Sequence, residues 1–210
     1  MYTLYYSPGS VSMVTHMVLE ELGVPFEAVK VNLEKKAHHE PAYLKINPKA
    51  KVPSLGTSDG VITESVAILE YLLDKHGDGS LLAQPATVER ARTMERMAYL
   101  ATEIHPLMNR YFHADDYAAE ESVQKAVSEF GQAKIVAFFQ REDGKLTAPY
   151  WSGGTAPNVA DFYFAVVARW GRWFKPKSIE MPNIRAFQER MASRPSVQRA
   201  TAREGNTLFS

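Results

Sequence analysis

Two stretches, Asn47-Pro48-Lys49-Ala50-Lys51-Val52-Pro53-Ser54-Leu55 and Gly60-Val61-Ile62-Thr63-Glu64-Ser65, put two different ligand-holding chemistries a dozen residues apart. In the first, Pro53 stands just before Ser54-Leu55, which reads as the start of a strand. A proline has no N–H for a sheet ladder, so it belongs at a strand's first position or on an edge. A cis bond, which only proline allows cheaply, would turn the chain there and leave the N–H and C=O of Val52 open to a peptide-like ligand. In the second, Glu64-Ser65 opens a helix whose apolar residues Val66, Leu69, Leu72 and Leu73 recur at helical spacing. A helix start concentrates N–H groups and positive dipole, and an acidic residue and a hydroxyl add acceptors. That combination suits the carboxylate and ammonium of an amino acid together. Alone, each motif is an ordinary turn or an ordinary cap; together, in this order, they read as a clamp for a tripeptide.

Composition narrows the chemistry. The 210 residues are 45% apolar and 11% aromatic, enough to bury a substantial core in one domain or two small ones. Lys+Arg and Asp+Glu both number 24, so no overall field draws the chain to nucleic acid or an anionic membrane. No apolar run approaches the roughly 18 residues of a membrane span. Met1-Tyr2-Thr3-Leu4-Tyr5-Tyr6 has no basic leader and reads as a first strand, so the cytoplasm is the default compartment. With no cysteine there is no disulfide, no thiolate metal site and no protein thiol nucleophile, and any sulfur chemistry must come from a ligand. His38-His39 lack metal-ligand spacing and read as solvated, and no metal site is expected. Gly153-Gly154 lacks the lysine of a phosphate loop, and no Ser-His-Asp arrangement stands out.

The elements that must position these residues follow from periodicity. Tyr2 to Tyr6 is a strand. Val14, Met17, Val18 and Leu22 mark a helix that Gly23-Val24-Pro25 stops, and Phe26 to Val31 is a second strand. Strand, helix and strand over some thirty residues predict a parallel pair. Residues 39–46 read as short helix or irregular chain. Ser58-Asp59-Gly60 then joins Ser54 to Thr57 and Val61-Ile62 in an antiparallel hairpin. The helix from Glu64 ends near Lys75-His76-Gly77. Residues 1–77 thus form a βαβ…ββα unit, and 78–85 a linker. Residues 86–210 read as all-helical, with a long helix over 86–114 kinked at Pro106 and others over 120–142, 162–174, 182–191 and after Pro195. Asn158 and Asp161 have capping-box spacing before the 162–174 helix, so Asp161 reads as structural.

The pattern resembles the soluble glutathione transferases, particularly the bacterial beta-class-like group, across nearly the whole chain. The resemblance rests on Tyr5-Tyr6-Ser7-Pro8-Gly9 with His16, Asn47 to Pro53, Thr63-Glu64-Ser65-Val66-Ala67-Ile68, Ala101-Thr102-Glu103-Ile104-His105 and Asn158-Val159-Ala160-Asp161. It implies a thioredoxin-like N-terminal domain, an all-helical C-terminal domain and a homodimer. Carried over by position, Val52, with Pro53 cis, looks like the backbone partner of the cysteinyl unit of glutathione, and Glu64 and Ser65 look like the γ-glutamyl site. Lys36 and Lys51 are candidates for the glycine carboxylate. His105 matches a histidine that reaches the bound thiol from the second domain, with Glu103 near it. The chain departs from the group at Val11, where the beta class usually carries its cysteine. That leaves the hydroxyls of Ser10, Ser12, Ser7, Tyr5 and Tyr6 in competition to hold the thiol.

A free thiol has a pKa of about 8.5, and lowering it by about two requires about 2.7 kcal/mol of preference for the anion. One hydrogen bond to a charged group supplies roughly 1.5 to 3 kcal/mol and a helix N-terminus roughly 0.3 to 1. A hydroxyl at the mouth of the first helix therefore suffices, and Ser10 and Ser12 are favoured, although both also suit a plain capping role. Tyr5 and Tyr6 face opposite ways on the strand, so one can reach a ligand while the other is core. Met108, Tyr111, Phe112 and Trp170 are candidate walls for an electrophile pocket. The expected activity is conjugation of glutathione to a small hydrophobic electrophile, or peroxide reduction. The alternatives are an interaction protein resembling the stringent starvation proteins, and a glutathione-dependent lyase, isomerase or dehalogenase.

Overall fold

Tyr2–Tyr6 (β1) alternates buried and half-buried residues, the mark of a strand whose one face is covered. Its buried side chains Tyr2, Leu4 and Tyr6 share a core with Leu19 of a first helix, Ser12–Leu22 (α1), with Leu55 of a strand Ser54–Thr57 (β3), and with Ile68 and Leu72 of a helix Ser65–His76 (α3). The structure, a computed structural model, describes residues 1–209. Gly23 ends α1 at φ 64°, the left-handed conformation that favours glycine, and its N–H reaches the carbonyl of Leu19. Phe26–Lys30 (β2) then lies parallel to β1, with Tyr2 opposite Phe26 and Tyr6 opposite Lys30. Between β2 and β3 there are a 3₁₀ turn, Ala37–His39, and a short helix, Pro41–Leu44 (α2).

Strand Gly60–Thr63 (β4) closes a hairpin on β3, and β3 runs antiparallel to β1, giving the sheet order β2-β1-β3-β4. The unit expected over the first part of the chain is therefore present as a mixed four-stranded sheet. Arg90 ties down the segment after α3: its guanidinium grips both oxygens of Asp74 at 2.7 and 2.9 Å and one of Glu70 at 2.8 Å. These bonds hold the Asp74 carboxyl below the usual carboxylate range.

The chain divides into two compact units, residues 1–90 with 190–208, and residues 91–189 with 209. Sequence periodicity grouped 86–210 together, whereas the last helix, Pro195–Glu204 (α9), packs with the N-terminal unit. Its arginines supply the reason: Arg199 and Arg203 pair with Glu20 of α1 at 2.6 and 2.9 Å, and Arg194 and Ser196 both bond Glu21.

The second unit is built of helices. Val88–Tyr99 (α4) and His105–Phe112 (α5) are joined by a π-helical turn over Leu100–Ile104. The expected long helix is thus interrupted before Pro106 and not only kinked at it. Pro106 has no N–H for the carbonyl four residues back, and its ring would strike that carbonyl; a wider turn takes up the mismatch. Helix Glu121–Lys145 (α6) follows, then Val159–Trp170 (α7), whose residues Val159 to Arg169 are all buried. A 3₁₀ turn over Gly171–Trp173 ends α7 earlier than periodicity suggested, and Pro182–Ala192 (α8) completes the set. Among the described residues, no helix is long and apolar enough to cross a membrane.

The capping box is present at the start of α7. Asp161 is fully buried and accepts the N–H groups of Ser152 at 2.9 Å and Asn158 at 2.8 Å, while Asn158 accepts from Ala160 at 2.9 Å. Burial pushes the Asp161 carboxyl up, and the two N–H donors oppose that shift. Replacing Asp161 by Ala strands two N–H groups at the start of the most buried helix. We expect a loss of about 2 to 4 kcal/mol in denaturant unfolding, with the Asn variant closer to wild type because its amide still accepts one of the two bonds.

Candidate functional site

The sheet register sets the candidate residues in a row. Tyr5 lies opposite Ser54, and Ser54 lies opposite Thr63. One step further along each strand, Tyr6 and Ser7 leave β1, Pro53 and Val52 precede β3, and Glu64 and Ser65 leave β4, all at the same end of the sheet. Neighbouring strands stand roughly 4.8 Å apart, so the row spans about 10 Å. Both α1 and α3 begin at this end, so two helix N-termini, with their exposed N–H groups and positive dipole, flank it.

At one end of the row is the turn from Ser7 to Ser12. Ser12 is fully buried; its hydroxyl donates to the Ser7 carbonyl at 3.2 Å or to Ser10 Oγ, and accepts the Ser7 N–H at 3.1 Å. The Ser10 hydroxyl lies 2.9 Å from the Ser7 carbonyl and 2.8 Å from Ser12 Oγ, and accepts the Ser12 N–H at 3.3 Å. Ser10 is half-buried, whereas Ser12 has no solvent face. Among the described residues the N–H of Val11 has no partner, leaving one backbone donor at the helix start. Tyr6 is 7% exposed and packs in the core with its ring 5.3 Å from that of His16. Burial pushes its phenol up, with the Glu204 carboxylate adding to the shift. Tyr5, on the opposite face, packs edge-on against Tyr43 at 6.0 Å.

In the middle of the row the Val52–Pro53 peptide is cis. Among the described residues neither the N–H nor the C=O of Val52 has a hydrogen-bond partner. The preceding loop is held from beneath: the Lys51 carbonyl accepts from the Tyr43 hydroxyl at 2.7 Å and from Asn47 Nδ2 at 2.8 Å, and Tyr43 also bonds Ser54 Oγ at 3.0 Å.

At the far end Glu64 has φ 70° and ψ 119°, a conformation costly for a residue with a Cβ, and its side chain is exposed and paired with Lys49. Ser65, the first residue of α3, is half-buried. Lys36, at φ 55°, and Lys51 are both exposed. Burial, and then the charges of His39, Lys51 and Lys36, push the His38 imidazole down, which places both lysines in one positive neighbourhood beside it.

The second unit holds the remaining candidates. His105 lies against Trp170, with ring centroids 5.0 Å apart and planes tilted by 44°, immediately after the π turn, and Glu103 is exposed within that turn. Tyr111 packs against Phe112 at 5.0 Å and Phe174 at 4.6 Å, and Phe112 is 39% exposed. Met108 is 1% exposed, so it packs inside the unit and offers no surface to a pocket.

Sequence reasoning passed over Glu204. Its carboxylate, fully buried, lies 2.9 Å from His16 Nδ1 and accepts the Gly9 N–H at 2.8 Å. No local signal marks a glutamate at the end of a short terminal helix; only its place against α1 does.

Comparison with known proteins agrees with this geometry. Residues 1–74 match the glutathione S-transferase N-terminal domain, and residues 99–195 the glutathione S-transferase C-terminal domain. Glutathione S-transferase GstA of Escherichia coli O157:H7 is 36% identical over 204 residues, covering 96% of this chain and 98% of that protein. Maleylacetoacetate isomerase of Pseudomonas aeruginosa is 28% identical over 210 residues, covering 95% of this chain and 94% of that one. The crystal structure of a glutathione transferase homologue from Sulfitobacter, with bound glutathione, superposes with a TM-score of 0.86 at 26% identity, covering 97% of this chain and 98% of that one. With both domains matched in order and a relative aligned over nearly its full length, the chain belongs to the glutathione S-transferase family.

Proposed function

We propose that this enzyme binds glutathione along the row Ser7–Ser12, Val52 and Glu64-Ser65 and presents its thiol, as a thiolate, to a small hydrophobic electrophile. The observation that carries the reading is the alignment of three different chemistries at one sheet end over about 10 Å, the span of a γ-glutamyl-cysteinyl unit. Val52 offers the N–H and C=O that an extended peptide needs. The start of α3 offers N–H groups to an α-carboxylate, and Glu64 an anion to the ammonium. The positive neighbourhood of Lys36 and Lys51 suits the glycine carboxylate. Bound glutathione in the Sulfitobacter homologue supports the ligand assignment.

The hydroxyl network ranks the activating residue. In the closed turn both serine protons are spent internally, because the Ser7 carbonyl and the facing Oγ take them. A thiolate beside Ser10 turns that hydroxyl outward, and Ser12 then donates to Ser10 Oγ, making a Ser12–Ser10–sulfur chain in which each bond polarises the next. Ser10 is the donor and Ser12 its support. With Val11's N–H and the α1 dipole, the donors amount to roughly 2 to 4 kcal/mol, enough to bring the thiol from about 8.5 to near neutrality. The Pseudomonas relative is a maleylacetoacetate isomerase by name, so isomerase substrates belong in the same assay panel. A homodimer is proposed as the working form, in line with the exposed Val123 and Phe130 on one face of α6.

Ser10→Ala is expected to raise the pKa of the bound thiol by about 1 to 2 and lower kcat/KM at neutral pH by about tenfold or more, with stability little changed. Ser12→Ala is expected to act first on stability, by about 1 to 2 kcal/mol. Titrating the ultraviolet absorbance of the bound thiolate decides between them; a thiol pKa that neither substitution moves removes the hydroxyls from the mechanism. Glu64→Ala is expected to raise KM for glutathione by about tenfold with kcat nearly unchanged, the pattern of lost uniform binding. An unchanged KM would take Glu64 out of the ligand site.

A further inference from the structure

We infer that Glu204, at the end of the last helix, is a positioning residue for the Ser7–Ser12 turn and sets the efficiency with which Ser10 meets the bound thiol. The inference rests on the glutathione reading above and goes beyond it by adding a residue nearly two hundred positions away in the chain.

The geometry is specific. The Glu204 side chain is 0% exposed, as is that of His16. One oxygen lies in hydrogen-bond contact with His16 Nδ1 at 2.9 Å; the other accepts the Gly9 N–H at 2.8 Å and the Asn206 Nδ2 amide at 3.2 Å. Among the described residues His16 Nε2 has no partner, and the imidazole is wedged between the rings of Tyr6 and Phe26 at 5.3 and 5.5 Å. A buried carboxylate is costly unless its oxygens are satisfied. This one takes its satisfaction from a turn and a histidine and not from a cation, although Arg203 is its neighbour on α9 and pairs with Glu20 instead.

Glu204 is not needed to dock α9. Arg199 and Arg203 on Glu20, with Arg194 and Ser196 on Glu21, already fasten that helix to α1. What Glu204 adds to that docking is a fixed acceptor for the N–H of Gly9, which at φ 71° occupies the left-handed conformation at the tip of the turn. Holding that N–H fixes the Pro8–Gly9 peptide plane, from which the left-handed Gly9 directs the chain into Ser10, and with it the direction in which the Ser10 hydroxyl rotates out. A donor misplaced by a fraction of an ångström stabilises the anion less while the turn remains folded.

The test compares wild type, Glu204→Gln, Glu204→Ala and Arg199→Ala for thermal midpoint, for KM and kcat with glutathione and chlorodinitrobenzene, and for thiolate absorbance of bound glutathione against pH. Both Glu204 variants are expected to lower kcat by about tenfold with KM for glutathione within about twofold, and to move the thiol titration upward. Removing a nearby negative charge would by itself move that titration downward, so the upward direction marks lost positioning. Arg199→Ala loosens α9 without touching Gly9; it is expected to lower the thermal midpoint and leave the titration in place. If Glu204→Ala does not fold, Glu204→Gln, which keeps the volume, decides. An unchanged or downward titration in a folded Glu204 variant overturns the inference alone. A wild-type protein that binds glutathione without lowering its thiol pKa overturns the underlying reading, and this inference with it.

Discussion

The register of three strands is the constraint from which the rest of the N-terminal unit follows. Pairing Tyr5 with Ser54 and Ser54 with Thr63 brings three chain reversals to one end of one sheet. Because side chains alternate along a strand, a one-residue slip would send Tyr2, Leu4 and Tyr6 out of the core they share with Leu19, Leu55, Ile68 and Leu72. The apolar face therefore holds the site's spacing. Burial of each of those side chains is worth roughly 1.5 to 3 kcal/mol, against roughly 0.5 to 1.5 kcal/mol for a neutral hydrogen bond of the row.

On that frame the polar residues divide by what they satisfy. Tyr43 and Asn47 spend their hydrogen bonds on the Lys51 carbonyl, and Ser12 spends its own on Ser7. These side chains hold backbone in place; among the described residues the N–H and C=O of Val52 and the N–H of Val11 are left over, and these, with the Ser10 hydroxyl, are the groups we propose for glutathione. Glu64, at positive φ, is held in a conformation that its neighbours must maintain.

The helical unit follows a different rule. Its stability is concentrated in α7, buried from end to end and started by the Asn158–Asp161 box. Its irregularity is concentrated at Leu100–Ile104, where Pro106 forbids a regular turn. A π turn directly before His105 places that imidazole differently from an unbroken helix, and Trp170 packs against it at a tilt.

Much of this was legible in the chain itself. The periodicities of Val14 to Leu22 and Val66 to Leu73, the glycine after Leu22, the turn at Ser58-Asp59 and the box at Asn158 are local, and local physics determines them. Pro53, Glu64 and Ser65 were legible because each is a residue type with few uses at a strand or helix start. The ranking of Ser10 above Ser12 was not, because two serines two residues apart differ only in which one the fold seals from solvent. Nor was the burial of Met108, or the placing of α9, since a helical stripe does not say which surface will cover it. Sequence by itself determined the elements, the missing cysteine and the residue types at the sheet end where β1, β3 and β4 meet. Tertiary structure alone decided that Ser12 is sealed from solvent while Ser10 is not, and that Glu204 meets Gly9 and His16, because contacts between residues nearly two hundred positions apart leave no periodic trace in the chain that makes them.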